Sequence, residues 1–108
     1  MPNETKKLSC TLAAGSAIWH AMTERQVKGR VEARTHAKLA REVRAKLTDA
    51  PDKPQFGFKA GVIELASEVF EYLCKIVEHK LDAGVPGSHG AGYGELIDAI
   101  EPHEEKKK

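Results

Sequence analysis

Residues 58 to 82 read as one helix whose apolar side chains cover about half of its circumference. Counted at about 100° per residue, Glu64, Glu68, Glu71, Lys75, Glu78, His79 and Asp82 fall near a single line. Val62, Leu65, Ala66, Val69, Phe70, Leu73, Cys74, Ile76, Val77 and Leu81 occupy the rest, an arc of roughly 180° against the ~100° of a helix packed on one side. At 1.5 Å per residue such a helix is about 37 Å long. Burying each of its large side chains is worth about 1.5–3 kcal/mol. The helix is therefore expected at the centre of the fold, covered on two flanks by shorter helices or by a second chain.

The remaining elements follow from periodicity and punctuation. Residues 8 to 26 place Leu8, Leu12, Ile18, Trp19 and Met22 on one helical face, with Gly15 as a weak point. Residues 30 to 48 place Leu39, Ala40, Val43 and Leu47 on one face and Arg30, Arg34, Lys38, Arg41 and Arg44 on the other. Thr48-Asp49-Ala50-Pro51-Asp52-Lys53-Pro54 ends that helix, because proline cannot donate to the helical ladder and aspartate favours turns. Ala83-Gly84 ends the long helix at a left-handed cap. The glycine-rich run from Val85 to Gly94 reads as a flexible connector. A short helix over 93 to 101, carrying Leu96, Ile97 and Ile100, comes last. The expected architecture is all-α: one helical domain over 8 to 102, a disordered start over 1 to 7 and a charged tail over 103 to 108.

Charge narrows the function. The net charge of +1 conceals +6 over residues 1 to 48 and −5 over 49 to 108. A chain polarised in this way can hold an anion with one half, or pair head to tail with a copy of itself. The two cysteines make no disulfide framework, and Cys74 reads as a small buried hydrophobe. No run approaches the ~18 apolar residues of a membrane span. Leu8 to Gly15 is too short and polar for a leader. An intracellular protein, cytoplasmic or in the nucleoid or nucleus, is expected.

Catalytic and metal chemistry find little support. His20, His36, His79, His89 and His103 lack the paired spacing of a metal site, and His36 reads as a hydrogen-bonded residue on the apolar side of its helix. Cys74 and His79 point to different faces, which spoils a nucleophile–base pair. The glycine-rich run lacks the Lys-Ser/Thr ending of a phosphate-binding loop. No cofactor is expected, and the chain is not expected to be an enzyme.

The order from residue 30 onward, short helix, loop, long helix, loop and short helix, resembles the histone fold. Leu65-Ala66-Ser67-Glu68-Val69-Phe70-Glu71-Tyr72-Leu73 resembles the central helix of core histones, and Lys38-Leu39-Ala40-Arg41-Glu42-Val43 resembles the helix before it. Pro86-Gly87-Ser88-His89-Gly90 stands where that family carries a short basic strand. The resemblance implies a homo- or heterodimer crossing at Val69 to Ile76, with Leu65, Val69, Phe70, Leu73, Ile76 and Val77 at its interface. The basic row Arg30, Arg34, Lys38, Arg41 and Arg44 is the candidate for binding DNA or a nucleoprotein partner, since such binding needs several cations on one surface. The alternative is a helical bundle that holds or inhibits a protein partner.

Overall fold

The computed structural model describes residues 5–50, 52–53 and 55–104. The start of the chain before Thr5 and the end of the charged tail after Glu104 lie outside the described residues. The order of elements is β1 (Thr5–Cys10), α1 (Leu12–Thr23), α2 (Gly29–Leu47), β2 (Gly61–Ala66), α3 (Ser67–Ala83) and α4 (Gly87–Ile100), followed by a 3₁₀ turn at Glu101–His103. The fold is therefore mixed rather than all-α: four helices pack with a two-stranded antiparallel sheet.

The expected helix over 58 to 82 is two elements. Along β2, Ile63 and Leu65 are buried while Val62 and Glu64 are exposed, which is the two-residue period of a half-covered strand. Strand β1 has the same alternation, with Leu8 and Cys10 buried and Lys7 and Ser9 exposed. The register sets Leu8 opposite Ile63 on the covered face and Lys7 opposite Glu64 on the open face, with an ion pair of 3.9 Å between the latter two. At 100° per residue the apolar side chains of α3 alone span about 160°, and those of β2 fall almost wholly within the same arc, so helical counting did not separate the two elements.

The first expected helix is likewise divided. Residues 5 to 7, expected to be disordered, belong to β1. Thr11 stops the strand and starts α1: its side chain accepts a hydrogen bond from the amide of Ala14 at 3.1 Å, a capping contact. Leu12, expected to face inward, is 55% exposed because it opens the helix on its outer side.

Helix α2 lies close to expectation. The hydroxyl of Thr48 donates to the Arg44 carbonyl at 2.6 Å, and backbone pairs Asp49–Gly57 and Lys59–Leu47 close the base of the following loop. The outer edge of β2 is covered by this helix. Glu42 accepts from the Glu64 amide at 2.8 Å, and a Cβ on Gly61 would stand 2.5 Å from the Lys46 carbonyl oxygen.

The connector expected over 85 to 94 is helical from Gly87, so α4 is longer than the segment read from its isoleucines. Its glycines serve packing at one point. Gly92 is buried against α1, where a Cβ would lie 2.7 Å from the carbonyl oxygen of Ala13. Tyr93, Leu96 and Ile100 of α4 then fill the core alongside Ala17, Ile18 and Ala21 of α1.

Leu65, Val69, Phe70, Leu73, Ile76 and Val77 all sit in this single-chain core. The expected dimer crossing is thus corrected: these side chains are buried within one chain, where α3 packs on α1, α2 and the sheet, and none is left to face a second copy. Among the described residues no helix is long and apolar enough to cross a membrane.

Candidate nucleic-acid interface

Helix α2 buries Leu39, Val43 and Leu47 and turns Arg30, Arg34, Lys38 and Arg41 to solvent on the opposite side. Lys38 reaches Glu68 of α3 at 3.2 Å. Arg30, Arg34 and Arg41 form no ion pair among the described residues. The acids of α2 itself are drawn elsewhere: Glu32 to Arg25 at 2.7 Å and Glu42 to Lys46 at 3.0 Å. The outer ridge of α2 consequently carries three arginines with no ion pair among the described residues.

Arg44 leaves that line. Its guanidinium lies 4.2 Å from the ring centroid of Phe56 and 5.9 Å from that of Trp19, and it donates to the carbonyls of Ala50 (3.1 Å) and Lys53. Phe56 in turn meets Trp19 and Phe58 edge to face at 5.5 and 5.4 Å. Arginine suits this place because its flat guanidinium stacks on rings while donating in its own plane. The residue expected to touch nucleic acid instead ties the loop after α2 to α1.

A buried-edge network orients the ridge. Glu32 accepts from Arg25 Nε at 2.7 Å, from the Lys28 amide at 3.3 Å and from the Tyr72 hydroxyl at 3.2 Å. His36 Nδ1 lies 2.7 Å from the same hydroxyl. Since the Tyr72 proton goes to Glu32, the consistent tautomer has His36 Nδ1–H donating to the Tyr72 oxygen. The Arg25 hydrogen bond holds the Glu32 carboxyl below its ordinary range, burial lowers His36, and burial together with Glu32 pushes Tyr72 up to about 12. This network pins the first turns of α2 to α3. The sequence indicated one member, His36, as a hydrogen-bonded residue; Arg25, Glu32 and Tyr72 carried no separate signal.

A second network joins α1, α3 and α4. His20 Nδ1 meets the Tyr93 hydroxyl at 2.8 Å, its Nε2 lies 3.3 Å from Glu24, and its ring stacks on His89 at 4.1 Å. Lys80 completes the group by an ion pair with Glu24. Burial lowers the His20 pKa more than Glu24 raises it, and the Lys80 hydrogen bond lowers Glu24. The neutral imidazole then donates from Nε2 to Glu24 and accepts from Tyr93 at Nδ1. Both ring nitrogens are engaged, so His20 is placed as a structural link.

Both histidine networks weaken in acid. The folded state holds His20 and His36 below their ordinary 6.5, so their contribution is complete above that pH and is lost as pH falls through the folded values. Glu24 and Glu32, held below 4.5, add a further loss of the same sign at lower pH. Thermal midpoints are expected to fall steadily between pH 7 and 4; midpoints that rise or stay level over that interval contradict these networks.

The thiols offer no nucleophile at neutral pH. Burial pushes Cys10 up to about 11 and Cys74 up to about 12, so both stay protonated. Among the described residues no group of three or more His, Cys, Asp or Glu is placed to hold a metal ion. A recess of about 490 Å³ opens where α1 ends and α2 begins; two of the three Lys or Arg side chains that line it, Arg25 and Lys80, are bonded to its acids Glu32 and Glu24, and the third is Lys28.

The segment that resembles the histone central helix is split by the structure, with Leu65 and Ala66 on β2 and Ser67 to Leu73 on α3. No family model, curated protein or solved structure matches the chain.

Proposed function

We propose that this protein is a non-enzymatic DNA-binding protein that grips the phosphate backbone along the outer ridge of α2, in the cytoplasm, nucleoid or nucleus. The observation that supports this reading is that Arg30, Arg34 and Arg41 have no ion pair with a carboxylate among the described residues, on a ridge that also carries Lys38. From Arg30 to Arg41 the ridge runs about 16 Å, at 1.5 Å per residue. Backbone contacts of this kind carry affinity without sequence preference, because arginine and phosphate recognise each other whatever the base.

Three phosphate contacts, from Arg30, Arg34 and Arg41, imply a slope of about −3 in log affinity against log salt. Binding to random duplex DNA at low salt, measured by fluorescence anisotropy, is expected to show that slope. The triple change Arg30→Glu, Arg34→Glu and Arg41→Glu is expected to remove the binding while leaving the far-ultraviolet circular dichroism unchanged. Wild-type titration curves from a folded triple variant would sink the reading.

One observation favours a protein partner instead. Val31, in the first turn of α2 and beside the ridge, is 78% exposed, and phosphate would leave it so. A partner presenting an apolar side chain among acids would cover it. Absence of DNA binding at low salt, with loss of a co-purifying protein on Val31→Asp, supports this second reading.

A further inference from the structure

The arginine ridge has a counterpart on the same molecule. Helix α3 buries Val69, Phe70, Tyr72, Leu73, Ile76 and Val77, and its outer side carries Glu71, Glu78 and Asp82, all exposed. None of these three acids forms an ion pair among the described residues. At 100° per residue they lie within about 20° of one line along α3, and Arg30, Arg34 and Arg41 lie within about 40° of one line along α2. Both rows are exposed, and no ion pair joins one to the other among the described residues.

Their spacings are mirror images. The arginines are separated by four and then seven residues, the acids by seven and then four. On two helices of 1.5 Å rise these intervals are about 6 and 10.5 Å in opposite order. Laid antiparallel, the two rows coincide at all three positions: Arg30 with Asp82, Arg34 with Glu78, and Arg41 with Glu71. The cation that interrupts the acidic row, Lys75, then falls opposite the neutral Ala37. Lys38 remains with Glu68 of its own chain.

We propose that a second copy of this chain docks the acidic row of its α3 antiparallel on the arginine row of α2. Each copy then presents one donor row and one acceptor row, so two different surfaces meet and each copy keeps a row for a further contact. Exposed ion pairs are individually weak and screened by salt, so the association is reversible and belongs to high protein concentration and low ionic strength. Phosphates compete for the same arginines, so DNA disperses the assembly. The inference shares the ridge with the DNA reading but does not depend on it, because its second partner is the α3 row.

The test is a charge swap followed by sedimentation velocity at low and high salt. The weight-average mass of the wild type is expected to rise with concentration at low salt and to return to that of a monomer at high salt. Variant R30E/R34E/R41E has two acidic rows, and variant E71K/E78K/D82K has two basic rows. Each alone is expected to remain monomeric, and an equimolar mixture is expected to regain the concentration-dependent mass. A wild type that is monomeric throughout overturns the proposal, as does a mixture that stays monomeric or either variant associating like the wild type. The basic variant binds duplex DNA no more weakly than the wild type if the DNA reading holds. If it binds no DNA yet the mixture associates, the DNA reading fails and the docking stands.

Discussion

Leu73→Ala is expected to lower the unfolding free energy by about 2–5 kcal/mol, the cost of emptying a buried leucine site. Leu73 is 0% exposed within one chain. It lies in the same core as Ile63 of the sheet, Leu39 and Val43 of α2, and Leu96 of α4. Its loss therefore removes apolar contact inside a single chain and leaves a cavity that the surrounding elements close only in part. The decisive feature is concentration dependence. If Leu73 lay at a dimer crossing, the urea midpoint of both proteins would move with protein concentration, since unfolding would also dissociate the pair. With Leu73 in the monomer core, the midpoint shift is the same at every dilution where the chain is monomeric. A midpoint that tracks concentration at high salt, where the proposed surface docking is screened, would return these residues to an interface.

Gly92→Val is expected to destabilise the protein by about 1–3 kcal/mol or more, the range for forcing extra volume into a packed site. A Cβ at this position meets backbone, the carbonyl oxygen of Ala13 at 2.7 Å, so relief requires α4 to move away from α1. That movement would also pull Tyr93 from His20 and strip cover from Leu96. Gly94 is the internal control. It lies on the same helix with open space where its Cβ would be, and its φ is not positive. Gly94→Ala is expected to stabilise the protein by about 1 kcal/mol, the difference in helix propensity between the two residues. Opposite signs for two glycines two positions apart can be read directly from thermal melts of the two variants. Equal effects would mean that the segment is the loose connector its composition suggests.

The legible parts of the chain were those in which one local pattern had one reading. Helix α2 separates Leu39, Val43 and Leu47 from Arg30, Arg34, Lys38 and Arg41, and no strand period accommodates that set. Its end was equally clear, because turn-forming residues crowd in after Thr48. The latter half of the long apolar stretch was read correctly as helix for the same reason.

The strands were illegible because their pattern also satisfied a helix. Val62, Ile63, Glu64 and Leu65 alternate in exposure only when a partner defines the two faces, and that partner is Lys6 to Ser9, far away along the chain. Once Glu64 and Leu65 were counted at 100° per residue, they joined the stripes of α3 without conflict. A stronger reading of Thr11 as a capping residue would have been the available signal, since it cuts the first element at the place where β1 ends.

The candidate interface shows the same division. Arg30, Arg34, Lys38 and Arg41 were placed together from spacing alone. Arg44 has the same spacing, yet it turns aside because Phe56, beyond the loop, offers its ring there. The acidic row of α3 was also visible, but as a solvated stripe; its relation to the arginines required knowing which way both helices face.

By itself, the sequence determined the polarised charge, the amphipathic helix α2, the helical half of the apolar stretch and the breaks at Thr48 and Gly84, because each is written in neighbours a few residues apart. Only the tertiary structure decided that residues 61 to 66 are a strand, that glycines 87 to 94 are helical, that Arg44 belongs to the loop and that Leu73 is interior. Each of those depends on a partner distant in sequence: strand pairing, close helix approach, ring stacking and burial are contacts that local periodicity does not encode.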